Sequence, residues 1–506
     1  MNLPLTINST REISHEEEVL AICQQAKQLE MDGDYAGARQ ALGNLFPGVG
    51  KRPDVARLSP ALQADVLLRA GSLSGWIGSA NQIERSQELA KDLISESRRI
   101  FEQLRMPEKI ADASNDLAIC YWREGAYDEA RATLKDALTR LDSQTTDVKL
   151  RTFLNLGVIE RSSMRLKDAL KVHREAAPAF AECTNHSLLG KYHNEYALVL
   201  KNVGLAEKRE DYVDQALLEY AAAGYHLEQA GNIHSQASTE NNQALLFSSI
   251  GRFAEAHEHL NRARSLFLRV HDRGRVAEVD DARAQVLLAE GKNAEAERVV
   301  RASVRTLSDG EQRSLAAAAL TTHGTALARL GRRDEARTAL KRAVDSAEQG
   351  GDPEMAGIAA LTMVEELDSY LGIEAGQFYR RSESLLAWSQ DERIKQRLGV
   401  CARRLLARET YGPTAARTAE DDQFTDLLHA SDEPTRYSLE DRVLRYEGQI
   451  IKRALEASDG SVTRAARLLG ITHQGLAFIL NGRHQNLLAV RSPVKRRRRS
   501  IIRHNR

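Results

Sequence analysis

The residues best suited to do chemistry lie between Gly460 and Leu480. This stretch carries Ser461, Thr463, Arg464, Ala465 and Ala466, then Leu469, Gly470, Ile471, Thr472, His473 and Gln474, then Leu476, Phe478, Ile479 and Leu480. The spacing predicts two short helices joined by a tight turn. One runs from about Val462 to Leu469, with Ser461 as N-cap, and the second is capped by Thr472. Gly470 takes the turn position where a Cβ is disfavoured. Ile471 is expected to plug the core between the helices, and Ala465 with Ala466 lets them cross closely. Leu476, Ile479 and Leu480 then face inward, leaving His473, Gln474, Gly475, Ala477 and Phe478 outward. Gln474 can pair bidentately with an adenine edge, and His473 lies at the same helix end. Phe478 can touch a thymine methyl or serve as a dimer contact. Thr463 and Arg464 on the first helix complete the candidate face.

The outward face of the second helix carries little charge, so on its own it should hold DNA weakly. Cations follow it instead: Arg483, then Lys495, Arg496, Arg497, Arg498 and Arg499. From Arg445 to Arg506 there are 14 Lys and Arg against 3 Asp and Glu, a net of +11. The whole chain has 71 of each sign, so the remainder carries −11. Such a tail supplies sequence-independent affinity through phosphate contacts.

Other sites for chemistry are poorly formed. Gly48, Gly50 and Lys51 look like part of a phosphate loop, but Leu45 stands where a glycine is needed and Arg52 where a hydroxyl is needed. They are expected to form an ordinary loop. His257 and His259 are two apart and point to different faces of a helix. Cys23, Cys120, Cys183 and Cys401 are scattered, so no zinc or redox pair is expected; they read as small hydrophobes in a reducing cytosol. No metal, no cofactor and no enzymatic activity is expected.

A recurring phrase organises the rest of the chain. A glycine, a spacer, an often apolar residue and then Ala recur as Gly33 to Ala38, Gly125 to Ala130, Gly251 to Ala256, Gly291 to Ala296 and Gly331 to Ala336. Weaker copies end at Ala169 and Ala216. From Ala130 onward the closing alanines are spaced by 39, 47, 40, 40 and 40 residues. Small residues stand twelve before most of them (Ala118, Gly157, Ala244, Ala284, Gly324) and seven after (Ala137, Ala176, Ala223, Ala263, Ser303, Ala343). For the copy ending at Ala216 the match is Ala197 if seven extra residues are allowed. The unit is a helical hairpin whose glycine ends the first helix and whose small residues mark close helix contact. A single hairpin cannot bury its apolar face, so neighbours stack into a solenoid. An eroded repeat is expected around residues 68–103, and further hairpins over 356–405.

This pattern resembles tetratricopeptide repeats. The period of about forty rather than thirty-four, and the missing terminal Pro, fit the long-helix repeats of bacterial peptide- and signal-sensing regulators. The resemblance implies that the first helix of each hairpin lines a concave groove. The groove candidates are then Asn115, Asn194 and Asn241, with Trp122, Arg123, Arg161, Lys201 and Gln285. A row of Asn amides can pair with the backbone of an extended peptide. The Gly460–Leu480 stretch resembles the Fis-type helix-turn-helix, departing from its phrase at Ser461, where that family has Asn, and from its second helix, which in that family carries polar and basic side chains that reach DNA. The resemblance implies binding to double-stranded DNA. Fis-type modules often follow an ATPase domain, and none is recognisable here.

The elements that must position these residues are therefore all helical. The chain has 506 residues, with 42% hydrophobic, 28% charged, 5% aromatic and only 10 Pro, which suits long helices and argues against a β-sandwich or propeller. No run of 18 apolar residues and no leader pattern is seen, so a cytoplasmic, nucleoid-associated protein without a membrane span is expected. The expected order is a solenoid over 14–405, a linker over 406–438, a helix-turn-helix domain over 439–484 and a basic tail over 485–506. The expected function is a DNA-binding regulator whose solenoid receives a peptide or protein ligand. A homodimer is expected too, since one helix-turn-helix reads only a short half-site. The alternative is an interaction scaffold with a polyanion-binding tail.

Overall fold

The computed structural model describes residues 15–80, 83, 85–141, 145–308, 313–387, 389, 391–411, 439–458 and 460–490. They fall into two compact units, one within 1–416 and one within 417–506. All regular structure among the described residues is helical.

The first unit is a helical-repeat solenoid. Its hairpins are α1 (His15–Asp32) with α2 (Tyr35–Leu42), α3 (Pro60–Ala80) with α4 (Ser86–Gln103), and α5 (Pro107–Arg123) with α6 (Tyr127–Arg140). Next come α7 (Asp147–Ser162) with α8 (Leu166–Ala181), α9 (His186–Glu207) with α10 (Glu210–Gln229), and α11 (Ile233–Ser249) with α12 (Phe253–Arg269). The array ends with α13 (Arg273–Ala289) and α14 (Asn293–Ser308), α15 (Arg313–Arg329) and α16 (Arg333–Gln349), α17 (Pro353–Leu371) and α18 (Glu374–Leu385), and the single α19 (Glu392–Tyr411). The eroded repeat is the α3/α4 hairpin, and α17 to α19 occupy the expected further repeats.

The small-residue code is a packing code. Ala130, Ala169, Ala216, Ala256, Ala296 and Ala336 are all fully buried, as are Leu134, Tyr220, Leu260, Val300 and Leu340 on the same faces. Where the code has Gly, the approach is closest: a Cβ on Gly324 would stand 2.5 Å from Leu340 Cγ, and one on Gly157 would stand 2.6 Å from His173 Nε2. The hairpin turn is a C-cap with a left-handed residue. Gly331 has φ +79°, and the Arg332 N–H donates back to the Leu327 carbonyl at 2.9 Å. The α7/α8 and α9/α10 turns place Met164 and Lys208 in this conformation instead. That costs about 1 kcal/mol relative to Gly and is why these copies look weak in sequence. The seven extra residues lengthen one hairpin: α9 has 22 residues and α10 has 20.

Distant repeats also meet. Lys27 of α1 pairs with Asp112 of α5 at 2.8 Å, and Lys191 of α9 donates its ammonium to the Met31 carbonyl at the tip of the first hairpin. Met31 packs against the apolar cluster of α7 to α9 that includes Leu154 and Leu188.

The second unit has α20 (Leu439–Glu456), α21 (Val462–Leu468), α22 (His473–Gly482) and a closing 3-10 turn, Gln485–Val490. Ile451, Leu455, Ala465, Ala466, Leu476, Leu480 and Leu487 form one core. Leu487 extends the folded module beyond 484, so the expected tail is shorter than 485–506.

Candidate functional site

The α21–α22 pair is built by three local devices. Gly470 adopts φ +66°, and the Ile471 N–H donates to the Ala466 carbonyl at 3.0 Å, ending α21. Thr472 Oγ1 accepts from the Gly475 N–H at 3.0 Å, capping α22. The third device joins the end of α22 to α20. Glu447 accepts from Arg483 Nη2 at 2.8 Å and pairs with His484 Nε2 at 2.9 Å. The buried His484 fits because Gly448 has no side chain; a Cβ there would stand 3.1 Å from the imidazole.

Two local expectations are corrected. Ser461 precedes α21, but its hydroxyl makes no capping bond. Ile471 is 39% exposed, not a core plug, because the turn directs it outward while Leu476 and Leu480 fill the space. Thr463, Arg464, His473 and Gln474 are exposed, and Phe478 is 81% exposed. Leu468, also strongly exposed, joins this face and was not singled out from the sequence. Arg483 is exposed but is engaged with Glu447. Lys495, Arg496, Arg497, Arg498 and Arg499 lie outside the described residues, as does linker segment 412–438.

The solenoid sorts its eight groove candidates into different roles. Asn115 is fully buried, so its assignment to an open groove is wrong. Its amide donates to the Ala111 carbonyl and Thr152 Oγ1, and its oxygen accepts from Asn155. Asn194 meets the equivalent pair with the threonine bond reversed: its oxygen accepts from both Thr239 and Asn242, at 3.2 Å each. In both cases an Asn on one first helix meets a Thr–x–x–Asn on the next, so the amides fix repeat register. Asn241 is half-buried, and its Oδ1 has no partner among the described residues. Arg161 pairs with Glu195, and exposed Gln285 donates to Asp281 at 2.9 Å. Lys201 is half-buried, and burial with Arg161 nearby lowers its ammonium to about 8.

Trp122 and Arg123 do line a cavity. It measures about 350 Å³ and also touches Tyr35, Trp76, Asp116, Asn155 and Lys191. A second hollow of about 480 Å³ shares Tyr35, Trp76, Asn155 and Lys191 and extends along Asn194, Ser238 and Thr239. First helices α3, α5, α7, α9 and α11 thus contribute to one continuous polar and aromatic surface, with the first hairpin tip at its edge. Tyr35 and Trp76 stack with centroids 3.8 Å apart, and Trp122 is held by a 2.9 Å bond from Nε1 to Ser162. Burial lowers the pKa of both Arg123 and Lys191. Tyr35, Trp76 and Lys191 were missed from the sequence. Tyr35 reads there as a turn residue of the repeat, and no spacing rule links residues 76 and 191.

Residues 445–477 match the family model described as bacterial regulatory protein, Fis family, and residues 317–349 match a tetratricopeptide repeat model. The chain therefore carries a Fis-type helix-turn-helix at its C-terminal end and a tetratricopeptide repeat in the solenoid. No curated protein matches it. Among solved structures, it is similar to aspartyl phosphate phosphatase F from Bacillus subtilis at 13% identity, over 76% of this chain and 96% of that one, with a TM-score of 0.46. The apo form of the quorum sensor NprR from B. thuringiensis gives 13% identity, 66% and 89% coverage and 0.45. A Rap protein complexed with Competence and Sporulation Factor gives 15%, 77% and 99%, and 0.42.

Proposed function

We propose that this protein is a DNA-binding transcriptional regulator in which the solenoid receives a peptide or protein ligand and the C-terminal module reads DNA. The observation that carries this reading is the capped α21–Gly470–α22 arrangement inside the Fis-family match. It leaves His473 and Gln474 exposed at the N-terminal end of α22, where a second helix of this type meets base edges. In this reading the ligand meets the first helices of the solenoid, and the cavities that they line support it. A ligand switches such a molecule only by binding one arrangement of its two units better than another.

Selection of bound sequences from a random duplex pool, with the full chain near physiological salt, tests the DNA half. An enriched motif is expected, and an inverted repeat would add a homodimer. Gln474→Ala should then cost about 1–3 kcal/mol at one base position only. Replacing Lys495 to Arg499 with Ala should weaken all sequences alike and flatten the salt dependence.

A second reading, an interaction scaffold whose tail binds polyanions, is favoured by one observation. Leu468, Ile471 and Phe478 add exposed apolar surface to the helix pair, and α22 carries no Lys or Arg. Binding without enrichment that collapses as salt rises would select it.

A further inference from the structure

The smaller cavity contains charges that the protein leaves uncompensated. Arg69 behind it is fully engaged, pairing with Glu30 and, at 2.9 Å, with Asp116. Arg151 is engaged with Asp112. The Arg123 side chain, in contrast, makes no hydrogen bond or ion pair among the described residues, although the residue lines the cavity. Lys191 gives its ammonium only to a backbone carbonyl, that of Met31. Asp32, the acid with the strongest pull on Lys191, accepts instead from Gln28 at 3.0 Å. Glu30, with its side chain 9% exposed, has Oε1 buried without a partner among the described residues and also lines the cavity. Arg123 and Lys191 are half-buried, and a partly desolvated charge without an ionic partner and an orphaned acceptor are each costly, so a ligand that engages them recovers that cost.

We infer that this cavity takes the oxyanion-bearing end of an organic ligand. Arg123 and Lys191 receive the oxyanion, a planar apolar group lies against the Tyr35–Trp76 pair and Trp122, and Glu30 Oε1 accepts a ligand N–H or O–H. The volume suits one ring and a charged group rather than a folded domain. The inference rests on reading the concave surface as the ligand site, and it names the chemistry recognised there. A carboxylate and a phosphate ester share that chemistry, and the test separates them.

The full chain is titrated with N-acetyl-L-phenylalanine, its neutral amide and phenyl phosphate, each followed by tryptophan emission and by competition. Both anions are expected to bind and to displace one another, with the amide about tenfold weaker, the worth of one charge-assisted hydrogen bond. Tighter binding of the carboxylate identifies an organic acid or a peptide terminus; tighter binding of phenyl phosphate identifies a phosphate ester. Arg123→Gln, which strands no partner, should erase the preference for anion over amide while the melting temperature stays unchanged. Equal binding of acid and amide, no binding of either anion, or an unchanged preference in Arg123→Gln would overturn the inference. The anion-to-amide ratio of the unaltered protein is decisive even if the variant fails to fold. An empty duplex selection would remove the regulator reading and leave this result standing.

Discussion

Acidification should loosen one part of the solenoid and tighten another. His173 is 1% exposed on α8, with its ring stacked on Tyr196 at 5.2 Å and its Nε2, against Gly157, unpartnered among the described residues. Burial, opposed by Glu195 and aided by Arg161, pushes its pKa down from 6.5 to about 4. The unfolded chain therefore binds a proton that the folded chain refuses. Stability from this site is complete above pH 6.5 and is lost as the pH falls toward about 4. Between pH 7 and pH 5 the loss is about 2 kcal/mol.

Asp281 on α13 has the opposite sign. Burial raises its carboxyl from 3.8 to about 6, against the hydrogen bond from Gln285. Here the folded chain binds the extra proton, so stability is present at low pH and is lost as the pH rises through about 6. Over the same interval α13 gains about 1 kcal/mol.

Amide exchange read peptide by peptide resolves the two regions within one molecule, where a single global transition is not assured for a repeat array. Peptides from Leu166–Ala181 should lose protection toward pH 5, after correction for intrinsic rates, while those from Arg273–Ala289 gain it. His173→Leu should abolish the first change and Asp281→Asn the second. If His173→Leu loses as much protection on acidification as the unaltered chain, the assignment to His173 is refuted.

Three further outcomes follow from packing. Asn115→Ala leaves Thr152 and Asn155 without their partner and should cost about 2 kcal/mol in urea unfolding, whereas Gln285→Ala at an exposed position should change stability by less than about 0.5 kcal/mol. Gly324→Leu forces a side chain onto fully buried Leu340 and should destabilise α15/α16 by about 1–3 kcal/mol, seen as faster exchange in those helices. Thr472→Ala removes the α22 cap and should cost about 1 kcal/mol, with exchange accelerating in His473–Gly482 while the solenoid is unaffected.

The repeat fold was legible because its packing is local and periodic. Ala130 and its counterparts sit at one spacing, and each one is buried for the same reason. The second module was legible because Gly470, Thr472, Leu476 and Leu480 each satisfy a short-range rule. The turn after α21 was misread at Ile471, since alternation of apolar residues does not reveal which way a turn points. Asn115 was misread because a buried amide and a groove amide share the same residue type and register. Thr152 and Asn155, three apart on the next hairpin, were the available sign that this amide is spent on packing. The cavity was legible only at Trp122 and Arg123. Its other walls come from helices whose association depends on how far each repeat rotates on the last, and no single hairpin records that angle.

The bond between Lys191 and Met31 spans 160 residues and has a consequence for biogenesis. In an array where each unit touches only its neighbours, the N-terminal end can settle as soon as it leaves the ribosome. Here the place where Met31 rests is made by α7 to α9. At ordinary rates of synthesis, the tip of the first hairpin waits about 10–30 s for that surface to exist. During this interval the nascent chain presents an unseated methionine and an open aromatic shelf at Tyr35 and Trp76, which is the species a chaperone would meet.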